Sequence, residues 1–575
     1  MEHKDGSHTR SRKSIFISAI MMLVLILAAG WYWTRFDGDD AVSQSIRQSR
    51  IAILPFENKT NDPSLDMLGD MAADWIIQGL MNLDEVKVVS YQTIKDNIQY
   101  ASVGSAGSGS DFAERTGAEK IVRGRIYKQD ERLIVQTNIT DAITGEMEIA
   151  LPEIRGLASD LQGLVDQLRN RMMSKFALNT SNDYQPGLEA NPPNFEAFKY
   201  NNQAGYYFGA DYPKCRELLS KAISMDSNYV WPYISMAFTY GNEGLGGKVD
   251  SILNEVARRF PNLSFNEKNY VGFIRENLLG NRQAAYGHLK NAFEKDPKNF
   301  LNCYLTGLSA LMLNRPEDAI GYFDNIDPAG IEISRPSSTW WHFYYARALV
   351  RLGRLDDAMK ILSYVPYEKA DNGIFTTKAL VYMLRDQQDS IMAMVSRLKE
   401  LALSGNPVTL TYNAVANKYA VRKDPTNQLI WANRSLEYLK SIPKAEKDAS
   451  WAFSLYLAGK FQEALKVYED IHKKNPQWSA LSRIGCLNAK LGRKDIALMK
   501  IKELEQMNLP YPEGRISYGI ARIYVGLGEK EKSFNMLVQA FREGYGFDFN
   551  AYDYDFELLP LFDYPPFQEF VKPKG

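Results

Sequence analysis

The sequence predicts a mixed α/β domain followed by an all-α superhelical solenoid, with one apolar helix ahead of both. Three observations lead there. A short motif returns about every 34 residues from Glu196 nearly to the end of the chain, which is the mark of stacked helix pairs. Residues 51–180 mix short apolar runs with stretches of helical spacing. Ile15–Trp33 carries no charged residue over 19 positions.

A chain of 575 residues exceeds what one core supports, so two or three domains are expected. The 68 basic residues are balanced by 69 acidic ones. A general nucleic-acid binder shows a basic excess, so no nucleic-acid partner is expected. The three cysteines, Cys215, Cys303 and Cys486, form no CxxC pair. Each falls in a predicted repeat helix, where a small buried core residue is the expected role.

As a helix, Ile15–Trp33 would span about 28 Å, close to the hydrocarbon thickness of a bilayer. Trp31, Tyr32 and Trp33 form an interfacial belt at its far end. Lys4, Arg10, Arg12 and Lys13 precede it, and Asp37, Asp39 and Asp40 follow. The positive-inside rule then predicts a cytoplasmic tail at 1–14, a transmembrane helix at 15–33 and everything beyond outside the cytoplasm. A cleaved signal peptide is the competing reading. The length of the apolar run favours an uncleaved anchor. Residues 34–50 are polar and aperiodic, a tether.

Within 51–180, Ile51–Phe56 reads as a buried strand and Asn61-Asp62-Pro63 as a turn that starts a helix. Leu65, Leu68, Met71, Ala72, Trp75 and Ile76 recur at helical spacing. Val86–Tyr91 reads as a second strand, Gly104–Ser110 as a flexible loop and Phe112–Thr116 as a short helix. Lys120–Tyr127 and Arg132–Thr140 form a hairpin around Gln129-Asp130, with Leu133, Val135 and Ile139 on one face. Asp141–Gly145 is a tight turn, and an amphipathic helix over Leu157–Phe176 closes the domain.

These residues resemble a known module. Ile51–Asn58, then Asp62-Pro63, Gly69-Asp70, Gly124 and Asp141–Gly145 are similar, in matching order, to the amino-terminal domain of TolB. In bacteria such a module often precedes tetratricopeptide repeats. The resemblance implies a small mixed domain outside the cytoplasm, here of a bacterial inner-membrane protein whose bulk is periplasmic, with no established catalysis. After Gly145 the chain departs from the family: Glu146-Met147-Glu148-Ile149 stands where many relatives carry a tryptophan-containing strand.

From 195 to 545, copies align on a helix–turn–helix junction at Ala210, Gly244, Gly280, Asn314, Gly353, Gly459, Gly492 and Gly528. The long gap between Gly353 and Gly459 holds two weaker copies, near Phe375–Leu403 and Thr409–Leu439, making ten. Five residues after each junction stands a small residue, Cys215, Ala285, Ala319, Ala358, Ala464, Ala497 or Ser533, with Val249 in the second copy. Gly or Asn takes the left-handed turn, the small residue lets two helices approach, and Pro261, Pro297 and Pro476 end second helices. The pattern resembles the tetratricopeptide repeat. In that family the first helix of each pair lines a concave groove. The resemblance then implies Tyr200, Tyr207, Phe208, Trp231, Phe238, Tyr270, Tyr304, Trp340, Phe343, Arg347, Arg351, Phe453 and Tyr456 as groove residues. Aromatic rings beside arginines suit a protein or peptide partner. Packing between helices is the alternative for each ring. The segment 546–575, with Asp563, Pro565, Pro566 and Phe567, fits a cap on the last helices.

No phosphate loop, HExxH, GxSxG or metal-spaced Cys/His cluster occurs. No catalytic residue, metal, cofactor or small-molecule substrate is therefore expected. The reading is a membrane-anchored scaffold that binds protein partners through its repeats. A sensory or regulatory subunit acting through a membrane partner is the alternative.

Overall fold

The computed structural model describes residues 50–575, apart from 82–86, 99–107, 181–192, 296, 298, 327, 329–330, 332, 334–336, 402–405, 443–447 and 548–551. The predicted tail, the transmembrane helix and residues 34–49 of the tether lie outside the described residues, and Arg50, expected in the tether, opens the first strand instead. Among those described, no helix is long and apolar enough to cross a membrane. The chain divides into two units, one before residue 185 and one from Glu196 onward.

The first unit is a mixed sheet carrying helices. Its strands are β1 (Arg50–Ile53), β2 (Glu57–Asn58), β3 (Lys87–Val88), β4 (Lys120–Gln129), β5 (Arg132–Asp141) and β6 (Met147–Leu157). They run in the order β3-β1-β4-β5-β6, with β2 also on β4. β1 is parallel to both β3 and β4, and β4, β5 and β6 form an antiparallel meander. The helices are α1 (Asp66–Leu80), α2 (Tyr91–Asn97), α3 (Ser108–Thr116) and α4 (Leu161–Thr180). Leu133, Val135 and Ile139 are buried in one cluster with Ile76, Ile77, Leu164 and Leu168, so the alternation of β5 aims its apolar face at the helices.

Three expectations change here. Met147–Leu157 is a full edge strand where the sequence announces none, and α4 begins only at Leu161. The strand escapes a sequence reading because its burial does not alternate: two register irregularities shift its facing against β5. Val86 of the run 86–91 lies outside the described residues; of those described, only Lys87–Val88 pair as strand, and Ser90 caps α2 by accepting from the Thr93 amide. The short helix expected at 112–116 starts at Ser108, within the stretch expected to be loop.

Two motif glycines meet at one residue. A Cβ on Gly124 would overlap the ring of Phe56, and a Cβ on Gly69 would overlap the Phe56 carbonyl. The Phe56 amide donates to the Gly69 carbonyl at 3.2 Å. Residues far apart in sequence are thus one packing unit, and Asp141 is a turn residue that accepts from the Ile143 and Thr144 amides.

Among the described residues the second unit is ten consecutive antiparallel helix pairs, as the repeat predicts, from Phe195–Gly205 with Tyr212–Met225 to Arg515–Gly526 with Lys530–Arg542. The two weaker copies are Asn372–Leu384 with Gln388–Leu401 and Pro407–Val421 with Pro425–Ser441. Their junctions are Asp386 and Lys423, at φ of 56° and 59°. These take the same left-handed turn as the glycines at the other junctions, without a glycine to announce it. In the first repeat the left-handed residue is Gly209, one before the aligned Ala210. The small residues after the junctions, from Cys215 to Ser533, are all buried, as are the three free cysteines.

The array curls until repeats three and four meet the end of repeat ten. A Cβ on Gly280, in the turn of repeat three, would overlap the carbonyl of Glu543 just past repeat ten. Arg282 donates to the Gly544 carbonyl, and the Phe547 amide donates to the Met312 carbonyl at 2.9 Å. The expected superhelix closes into a ring.

Candidate functional site

First helices of repeats five and seven to ten face the interior of this ring, and the chain's own last segment is seated on them. Residues 552–571 fold as two 3₁₀ turns, Tyr552–Tyr554 and Phe556–Leu561, and a closing helix, Pro565–Val571. In Tyr552-Asp553-Tyr554-Asp555-Phe556-Glu557 rings alternate with acids, and the repeats meet them residue by residue.

Each acid faces an arginine. Arg351 of repeat five donates from Nη1 to both oxygens of Asp553, at 2.9 and 3.1 Å. Arg522 of repeat ten holds Asp555 at 2.6 Å, and the Tyr518 hydroxyl donates to the same Oδ2 at 2.8 Å. Arg483 of repeat nine pairs with Glu557, which Arg522 also approaches at 3.3 Å. Burial opposes charge on Asp555, but Arg522, Arg483 and the Tyr518 hydroxyl more than offset it and hold its pKa below the usual carboxylate range.

Each ring is met by rings or cations. Tyr552 packs edge-on against Tyr518 at 5.5 Å. Arg347 and Lys418 both sit 4.6 Å from the centroid of Tyr554. Phe556 lies against Phe453 and Tyr456, at 5.9 and 5.1 Å. The backbone is read as well: Asn417 donates to the Tyr554 carbonyl at 2.9 Å, and the Tyr552 amide donates to the Tyr518 hydroxyl at 3.1 Å. Further along, Asn314 donates to the Lys572 carbonyl at 2.8 Å and Arg351 to that of Val571 at 3.1 Å.

Lys418 is the least comfortable group in this lining. Burial pushes its pKa down to about 8 against the pull of Asp553, and Arg347, Arg422 and Arg351 depress it further. A small cleft of about 20 Å³ remains between Leu311 and Met312 of repeat four, Tyr344, Arg347 and Arg351 of repeat five, and Phe547 and Tyr554 of the tail. That is room for roughly one water molecule.

The structure divides the thirteen expected groove residues into distinct sets. Arg347, Arg351, Phe453 and Tyr456 line the interior and are covered by the tail. Trp231, Tyr270 and Phe343 are buried between helices: Trp231 packs on Tyr270 at 5.2 Å, the Tyr270 hydroxyl donates to Asn302 at 2.6 Å, and Phe343 lies over Gly373. Phe238 sits half-buried on Phe273 and Tyr304 on Phe300 and Tyr344. Toward the amino-terminal end the surface stays open. Tyr207 is 39% exposed and its neighbour Tyr206 50%. Phe208 and Trp340 are half-buried against each other at 5.8 Å, and Tyr200 lies half-buried beneath Lys221.

Asn417, Lys418, Arg483, Tyr518 and Arg522 join this lining without having been expected there. A signal for some of them exists. Arg347, Asn417, Phe453 and Arg522 each stand six residues before the left-handed junction of their repeat. Arg347, Phe453 and Arg522 could be aligned on their junction glycines, while Asn417 stays hidden because Lys423 is not a glycine.

Among the described residues no group of His, Cys, Asp and Glu could hold a metal. No protein-family model matches the chain, and no curated protein matches it. Alignments to solved structures exist. The human IFIT1 dimer with m7Gppp-AAAA is 13% identical, with 61% of this chain and 77% of that one covered and a TM-score of 0.32. A monomeric IFIT1 mutant with Gppp-AAAA is 14% identical, with coverages of 61% and 78% and a TM-score of 0.31. The P58(IPK) TPR domain is 13% identical, with coverages of 66% and 99% and a TM-score of 0.17. Scores this low carry no argument. The repeat architecture stands on the helix pairs described above.

Proposed function

We propose that this chain is a non-catalytic scaffold that docks a polypeptide partner on its repeat array while an amino-terminal helix holds it to a bacterial inner membrane. One observation carries the reading: first helices of five repeats grip a peptide segment through its rings, its acids and its backbone carbonyls. A surface built this way is suited to other polypeptides. The open aromatic edge at Tyr206, Tyr207, Phe208 and Trp340 is where a partner first gains contact, because the rest of the lining is covered. Tyr and Trp supply large contact area at small entropic cost, which suits them to that role.

The anchor and the periplasmic location rest on the uncharged run Ile15–Trp33 and the charge difference across it. The TolB-like character of the first domain rests on its motif order, and the Phe56–Gly69–Gly124 packing gives those motifs a physical reason to occur together.

Two measurements test the proposal. A reporter fused to the carboxyl terminus should be active only in its periplasmic form, and cytoplasmic activity would refute the topology. Crosslinking mass spectrometry in cells should recover a partner joined near Tyr206–Tyr207, and Tyr207→Ala with Trp340→Ala should abolish that crosslink. An unchanged crosslink pattern would refute docking at this edge.

A further inference from the structure

The tail's grip has the form of ligand recognition more than of an ordinary cap. A cap needs apolar cover for the last pair of helices, and Leu558, Leu561 and Phe567 supply it against Tyr518, Ala521 and Leu537. Residues 552–557 do something different. Besides Tyr518 and Arg522 of the last repeat they contact repeats five, seven, eight and nine, and each of three acids meets an arginine from a different repeat. Ion pairs inside a protein add little net stability over apolar packing of the same volume, while they discriminate strongly against a wrong or uncharged partner. A lining that uses Arg351, Arg483 and Arg522 in this way is selective for sequence.

We infer that the ring interior is a binding site for segments in which aromatic and acidic residues alternate, with the chain's own Tyr552–Glu557 as resident ligand, so that a partner bearing such a segment docks by exchange with the tail. This rests on the scaffold reading and names the chemistry of the partner. Tethering gives the resident segment an effective concentration on the order of millimolar. Exchange therefore needs a partner segment brought close by another contact, and the open edge at Tyr206–Tyr207 provides one. The tail thereby sets a threshold: weak aromatic–acidic peptides are refused, and a bivalent partner is admitted.

The test uses the full chain with a protease site placed in segment 548–551 and a fluorescent peptide of residues 547–575. After cutting, the labelled peptide should replace the resident tail at one per chain. Affinity should fall about tenfold or more when Asp553, Asp555 and Glu557 of the peptide are made amides, and by a similar factor in the Arg483→Gln chain. A cut tail that stays bound and does not exchange under excess peptide, in a chain of unchanged circular dichroism, overturns the inference. So does a peptide whose amide form binds equally well. If cutting unfolds the array, the uncut Asp553→Asn chain decides, since it loosens the resident segment at Arg351 alone. At millimolar labelled peptide, enough to rival the tether, it should take up more than the wild type, and equal uptake there overturns the inference. A crosslinked partner that depends on Tyr207 and Trp340 but is indifferent to these changes would leave the scaffold reading standing and remove this one.

Discussion

The Arg522 guanidinium meets the Asp555 carboxylate at 2.6 Å, with the two side chains 7% and 2% exposed. One belongs to the last repeat and the other to the tail, so a charge pair with almost no water around it joins two parts of the chain that local sequence does not connect. Glu557 and Arg483 extend the pair to four charges. Such a network is held by mutual compensation, and it fails badly when one member alone is removed.

Asp555→Asn should therefore cost about 3–5 kcal/mol, the usual range for leaving a buried charge without its partner. Urea unfolding reads this as a lower midpoint with an unchanged slope. The double variant Asp555→Asn, Arg522→Met should recover most of the loss, because no charge is then stranded. A single variant within about 1 kcal/mol of the wild type, a range typical of exposed pairs, would show that the pair holds nothing.

Lys418 gives a prediction in pH. Its folded pKa of about 8 lies below the unfolded value near 10.4, so the unfolded chain binds more protons between the two. Stability from this group rises with pH across that window, and the full penalty is present below it. The penalty is on the order of 3 kcal/mol by the same linkage. Lys418→Met should stabilise the protein at pH 7, and its advantage over the wild type should shrink as pH rises from about 8 toward 10. Paired melting curves at several pH values measure the difference, and a constant advantage across that range would refute the assignment.

Most of the second unit is readable from sequence because each repeat carries its own punctuation. Gly353 and Gly459 mark turns that favour a left-handed glycine, and Ala358 and Ala464 mark the close approach that follows. Where that punctuation is missing, at Asp386 and Lys423, only the length of the gap betrays the two copies. Strand β6 is hidden for a related reason: bulges against β5 break the alternation that betrays a strand. Ring closure and the seating of the tail are out of reach of a sequence reading. They join Gly280 to Glu543 and Arg351 to Asp553, and contacts at such separation leave no local period in the chain. The anchor rests on sequence alone.

Gly124 tests the first unit. Gly124→Ala places a methyl into the ring of Phe56, an overpacking error that typically costs about 1–3 kcal/mol. Phe56→Leu alone should also destabilise, since it shrinks a buried side chain. Combined with Gly124→Ala it should cost less than the sum, because the smaller side chain leaves the methyl room. A double-mutant cycle on the amino-terminal domain gives that coupling. Strict additivity would mean the two residues do not meet.

Two junction glycines separate the cost of a turn from the cost of closing the ring. Gly353 has φ of 74°, and a methyl added there would meet nothing within 4 Å, while Gly280 has φ of 81° and faces the Glu543 carbonyl. Gly353→Ala should then cost about 1 kcal/mol, the penalty of a left-handed alanine alone. Gly280→Ala incurs that penalty and also forces repeat three away from the end of repeat ten. Arg282 then loses its hold on the Gly544 carbonyl, and the ring opens at that seam. The expected result is a larger loss for Gly280→Ala, together with faster amide exchange at Gly544 and Phe547 that Gly353→Ala does not cause. Equal losses with no change at the seam would mean the ring is held by the tail alone.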